Sequence, residues 1–125
     1  MAIKISAINH IQITVPAALE VATKHFYRNI LGLEEVPKPE NKQKRGGAWY
    51  RYGEVELHLS IEEQAASNHL SKRHICYLVE DLAQTEEELK RADVEIIPDP
   101  EPIANWLRFY IRDPGGNRIE IAQRI

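Results

Sequence analysis

The sequence has a single cysteine, Cys76, so no internal disulfide can form and a reducing compartment suits it. It has no apolar run long enough for a transmembrane helix. Aromatic residues make up only 7% of the chain, and neither sign of charge dominates: the formal net charge is −3, with acids and bases interspersed. That balance gives no support to a general role on nucleic acid or at a membrane surface. The opening stretch MAIKISAINHIQITVP also lacks the apolar core of a signal peptide, because Lys4, Asn9, His10 and Gln12 interrupt it. The expected location is the cytoplasm. At 125 residues and 43% apolar composition, the chain can bury one real core but not two ordinary ones.

What is present is a pattern that runs twice. HIQITV, residues 10 to 15, alternates strictly and reads as a half-buried strand. Pro16 suits a helix start; Leu19, Ala22, Phe26 and Ile30 recur at helical spacing, and Gly32 is a stop. LEEV is a short strand, PKPENKQKRGG a charged loop, and AWYRY with EVELHLS a hairpin. Residues 62 to 71 are polar and read as a linker. The second run opens with the strand HICYLV at His74. Asp81 then caps a helix over about residues 82 to 92, with Leu82 and Leu89 inward. VEII, the loop PDPEP and a hairpin of LRFYIRD, DPGG and NRIEIAQ complete it. The expected architecture is α+β: two tandem βαβββ modules, about residues 1–64 and 65–125, forming one domain.

The two runs share an offset. His10 and His74 lie 64 positions apart, as do Glu56 and Glu120, which places these pairs on matching strands in matching positions. Strand side chains alternate between faces. One face would carry Ile11, Ile13, Val15, Val55, Leu57, Leu59, Leu107, Phe109, Ile111, Ile119 and Ile121 against the helices. The other carries His10, Gln12, Thr14, Glu56, His58, Ser60, His74, Cys76, Arg108, Tyr110 and Glu120. Two half-sheets side by side would make that polar face a trough. Two imidazoles and two carboxylates there can hold a divalent metal such as Zn, Fe, Mn, Ni or Co, with positions left open for substrate. A polar face that simply meets water is the other reading of the same alternation.

NHIQITVP, FYRNILGL and DPGGNRIEI resemble the hallmarks of the vicinal oxygen chelate superfamily, the glyoxalase, bleomycin-resistance and dioxygenase group, over nearly the whole chain. The resemblance implies an incomplete barrel with helices outside and one metal ion held by the first and last strands of each module. The corresponding positions are His10, Glu56, His74 and Glu120, with His58 as an alternative fourth ligand or an acid–base group. It further implies a homodimer and a small-molecule substrate whose neighbouring oxygens chelate the metal. Glu56, Glu120 or His58 would move a proton as an enediolate-like charge develops. A glyoxalase-like lyase or isomerase fits a two-His, two-Glu set; a small extradiol-type dioxygenase and a metal-free sequestration protein are the alternatives. For substrate contacts, Trp49 shares a strand face with Arg51, and Arg108 shares one with Tyr110. By resemblance Trp49 and Tyr110 line the pocket. Arg108 either grips a substrate anion or forms an ordinary ion pair.

Overall fold

Residues 2–63 and 65–125 are described by the computed structural model, so the residue at position 64 of the expected linker lies outside the described residues. The chain folds as two α+β units, Met1–Glu62 and Glu63–Ile125, each with one four-stranded mixed sheet.

In the first unit β1 (His10–Val15) leads into a helical arm: a 3₁₀ turn at Ala17–Leu19, the helix α1 (Glu20–His25) and a π-helical turn at Phe26–Ile30. The arm turns inward Thr23, Phe26 and Tyr27, and Gly32, at φ +74°, supplies the left-handed stop. The buried Thr23 hydroxyl donates to the Leu19 carbonyl at 2.7 Å, so no polar group is stranded there. Then follow β2 (Glu34–Val36), β3 (Ala48–Tyr52) and β4 (Val55–Ile61). The sheet order is β1-β4-β3-β2, with β1 parallel to β4 and the other pairs antiparallel.

The second unit repeats that topology with β5 (His74–Leu78), α2 (Leu82–Arg91), β6 (Ile97–Pro98), β7 (Trp106–Arg112) and β8 (Arg118–Arg124), ordered β5-β8-β7-β6. Asp81 caps α2 by accepting from the Gln84 backbone N–H at 3.0 Å. The strand expected at VEII forms only at Ile97–Pro98, because Asp93 at φ +60° turns the chain straight after the helix.

The expected apolar face is buried at Val15, Leu57, Leu59, Phe109, Ile111, Ile119 and Ile121. Each such side chain contributes roughly 1.5–3 kcal/mol on removal from water. Ile11, Val55 and Leu107 stay 36–47% exposed, since they sit at strand beginnings and β1 is an edge strand. The polar face departs from a plain solvated surface: His58, Tyr110 and Glu120 are each no more than 6% exposed.

The ladders also revise the repeat. His10 pairs with Glu56, whereas His74 pairs with Arg118 and Cys76 with Glu120. Across each hairpin, Trp49 pairs with His58 and Tyr110 with Glu120. With His10 and His74 taken as equivalent, the counterpart of Glu120 is therefore His58, not Glu56. The matching strands are those the sequence suggests, but the positions are two residues out of step, because turns and pairing set register and linear offset does not.

Candidate functional site

In the second unit β5 presents His74 and β8 presents Glu120. The His74 Nδ1 lies 2.9 Å from the Lys72 carbonyl, which can only accept, so the ring proton sits on Nδ1. Nε2 faces the carboxylate, 3.1 Å from Glu120 Oε1. Glu120 Oε2 is occupied separately: Trp106 Nε1 donates to it at 3.0 Å and the Cys76 thiol at 3.4 Å. Arg108 lies 3.6 Å from Oε1. Burial by itself would raise the Glu120 carboxyl, but the Trp106 and Cys76 hydrogen bonds and the charges of Arg108 and His74 outweigh it and hold it below its ordinary value. The carboxylate is thus an anion with Oε2 pinned by Trp106 and Cys76 and Oε1 shared between His74 and Arg108.

At 3.1 Å the two atoms can share a proton as a hydrogen-bonded ion pair, or share a metal ion in its place. Ligands at right angles on a metal with bonds of about 2.1 Å stand about 3.0 Å apart, so the pair has the spacing of a ligand edge. Pinning Nδ1 and Oε2 fixes the tautomer and carboxylate orientation such a pair requires. Tyr110 meets the His74 ring edge to face at 5.7 Å and lies beneath the Arg118 guanidinium at 3.8 Å, so it is a packed aromatic that steadies His74.

Arg108 donates to Asp99 at 2.8 Å and to the Glu101 carbonyl at 3.1 Å. That is the ion-pair reading of this residue. Cys76 has its thiol turned to Glu120, and burial of the sulfur, with that acceptor, pushes it up to about 11, far from a nucleophilic thiolate.

In the first unit Trp49, His58 and His10 form a three-ring stack: Trp49 to His58 at 3.7 Å and 4°, His58 to His10 at 4.1 Å and 12°. The His10 Nδ1 lies 2.8 Å from Asn9 Oδ1, which leaves its Nε2 as the free nitrogen. His58 Nε2 lies 2.9 Å from Glu56 Oε1. A cavity of about 330 Å³ opens beside the stack, and Gln12 and Ser60 line it too. Arg51 does not line it: it pairs with Glu34 at 3.1 Å. Thr14, on the same face as Gln12, donates instead to Glu62 at 3.2 Å. Among the described residues no group of three or more His, Cys, Asp or Glu side chains is gathered as a ready-made metal cage; the candidates occur as pairs.

Sequence reasoning did not anticipate Trp106 and Asp99, nor the cations Lys38, Lys42 and Arg45 on the cavity wall. The concentration of basic residues in PKPENKQKRGG was the available signal for the last three.

The Glyoxalase/Bleomycin resistance protein/Dioxygenase superfamily model matches residues 7–121. The chain belongs to that superfamily. A glyoxalase-family protein from Bacillus anthracis shares 34% identity over 100% of both chains, with a TM-score of 0.85. Two more distant members of this fold are a lactoylglutathione lyase from Agrobacterium tumefaciens and TnmS3, an antibiotic-binding protein from Streptomyces sp. CB03234. The first shares 22% identity over 94% of this chain and 93% of that one, with a TM-score of 0.70. The second shares 17% over 99% and 100%, with a TM-score of 0.75. No curated protein sequence matches the chain. The superfamily fold therefore accommodates an enzyme and a binder alike, and the choice between them rests on side chains.

Proposed function

We propose that this superfamily member is a metal-dependent enzyme of the vicinal oxygen chelate type, a glyoxalase-like lyase or isomerase acting on a small molecule with neighbouring oxygens. The observation that supports it best is the His74–Glu120 pair, offered at 3.1 Å with its other polar atoms tied to Lys72, Trp106 and Cys76.

Within the second unit His74 and Glu120 are the candidate ligands, and within the first unit His10, His58 and Glu56 are the candidates. The ladder favours His58 as the counterpart of Glu120. A divalent ion held by His74 and Glu120 would supply Lewis acidity, polarising the paired substrate oxygens and stabilising the negative charge that builds on them. The chain itself supplies the proton handling. His58, gripped between Trp49 and His10, stays within 2.9 Å of Glu56, so a proton taken at either group can be shared across that bond. Gln12 and Ser60 offer neutral hydrogen bonds from the cavity wall. Cys76 donates to Glu120 and takes no part as a nucleophile.

The test begins with elemental analysis of the purified protein after incubation with Zn, Ni, Co, Mn or Fe. About one divalent ion per chain is expected in the wild type, with affinity lower by roughly 10- to 100-fold or more in His74→Ala and Glu120→Gln. Turnover of an α-oxo aldehyde, 2-oxo acid or catechol should depend on the loaded ion. A wild-type chain that takes up none of the five metals overturns the reading and leaves ligand sequestration. A homodimer is the expected assembly, checked by light scattering.

A further inference from the structure

The first-unit cavity has an electrical asymmetry that the metal chemistry does not use. Lys38, Lys42 and Arg45 line it, and among the described residues no aspartate or glutamate does. We infer that this cavity binds the oxyanion head group of a small organic anion, through Lys42 and Arg45 on a loop that Lys38 holds in shape.

The loop is built to present those charges. The Lys38 ammonium donates to the carbonyls of Arg45 and Gly46, closing the loop from Lys38 to Gly46 on itself. The Gln43 amide returns to the Lys38 carbonyl at 3.2 Å, and a 3₁₀ turn at Glu40–Lys42 sets the bend. At the far end, the Gly47 N–H donates to Glu20 Oε2 at 2.8 Å. Gly47 lies against β4 so closely that a Cβ there would fall 1.9 Å from the Leu59 carbonyl oxygen. Lys38 is thus occupied as a staple. Lys42 and Arg45 have no ion-pair partner among the described residues. Glu20, beside Gly46 and Gly47 at the end of the loop, is already taken by Gly47 and Lys24. Two cations without an ion-pair partner at a cavity wall attract an anion and can give it charge-assisted hydrogen bonds. Gln12 and Ser60 add neutral donors, and Trp49 a flat apolar wall for the rest of the molecule. A surface lysine or arginine by itself would signify only solvation. Here the convergence on one concavity, and the absence of any lining carboxylate among the described residues, set these cations apart.

The inference rests on the proposed enzymatic reading for its meaning as substrate recognition, but the binding itself needs no metal. Chelator-treated, full-length protein is therefore titrated with inorganic phosphate and, separately, with acetate at constant ionic strength. The readouts are indole fluorescence and the NMR shifts of the His10 and His58 rings. Either anion is expected to perturb the unit-one signals in the millimolar range, the tighter one indicating a phosphoryl or a carboxyl head group. Lys42→Ala and Arg45→Ala should each weaken that binding by roughly 5- to 30-fold. Lys90→Ala, an exposed α2 cation paired with Glu86, should leave it unchanged. The inference is overturned if neither anion perturbs those signals, or if all three variants behave alike, which marks general charge screening. Anion binding that persists without any metal uptake would sink the enzyme reading alone; metal uptake without anion binding would sink this inference alone.

Discussion

At the scale of single residues, the chain keeps reactive atoms available by tying down their neighbours. His74 has one nitrogen hydrogen-bonded to Lys72 and the other left to Glu120. Glu120 has one oxygen held by Trp106 and Cys76 and the other facing His74 and Arg108. Glu20 does comparable work for the loop. Its hydrogen bond from Gly47 and its partner Lys24 outweigh partial burial and hold its carboxyl below the ordinary value. A carboxyl whose folded value is depressed stabilises the fold above its unfolded value and loses that contribution as pH falls through the folded one. Glu20→Gln should therefore lower stability by about 0.5–1 kcal/mol at neutral pH, a modest figure because the side chain is still partly exposed. The gap from wild type should close as pH falls below about 4, read from urea denaturation at several pH values. Tyr50 and Tyr77 follow the opposite logic: burial pushes both up to about 12, so they stay neutral across the physiological range.

At the scale of elements, the consequential one is the loop between β2 and β3. Its sequence reads as a charged connector, and most of it is exposed, yet it is stapled within itself and anchored by Gly47. Gly47 is at φ +90° with no room for a side chain, whereas Gly53, in the β3–β4 turn at φ +60°, has nothing within 4 Å. Gly47→Ala should cost about 2–4 kcal/mol and weaken anion binding, while Gly53→Ala should cost only about 1–2 kcal/mol and leave binding intact. Thermal denaturation with the phosphate titration separates the two; equal effects would mean that the close approach to Leu59 carries no weight. Elements were the most legible level in the sequence. Alternation marked β1 and β4, Asp81 marked the start of α2, and Gly32 marked the end of the first helical arm, because each is a local rule satisfied by nearby atoms. The extent of β6 was not legible, since Asp93 adopts a left-handed conformation that its residue type permits but does not demand.

At the scale of the whole molecule, metal and fold are linked by mass action. If the ion binds the native chain alone, adding it at about 100 times its Kd stabilises by about 2.7 kcal/mol. For a chain of this size that corresponds to a midpoint rise of about 10 °C. The rise should vanish in His74→Ala and reverse with chelator, as calorimetry would record. A wild-type midpoint indifferent to all five metals would remove the linkage.

The sequence by itself determined the two βαβββ units, the inward apolar face and the identity of the side chains that share the polar face, because periodicity and turn chemistry are properties of neighbours along the chain. Only the tertiary structure decided register and partnership: that His58 and not Glu56 stands where Glu120 stands in the second unit, that Arg108 belongs to Asp99, and that Lys42 and Arg45 meet at a cavity while Lys38 is spent on the loop. The physical reason is that pairing across strands and the closing of a loop depend on contacts between residues far apart in sequence, and many pairings are compatible with the same alternation until the folded chain selects one.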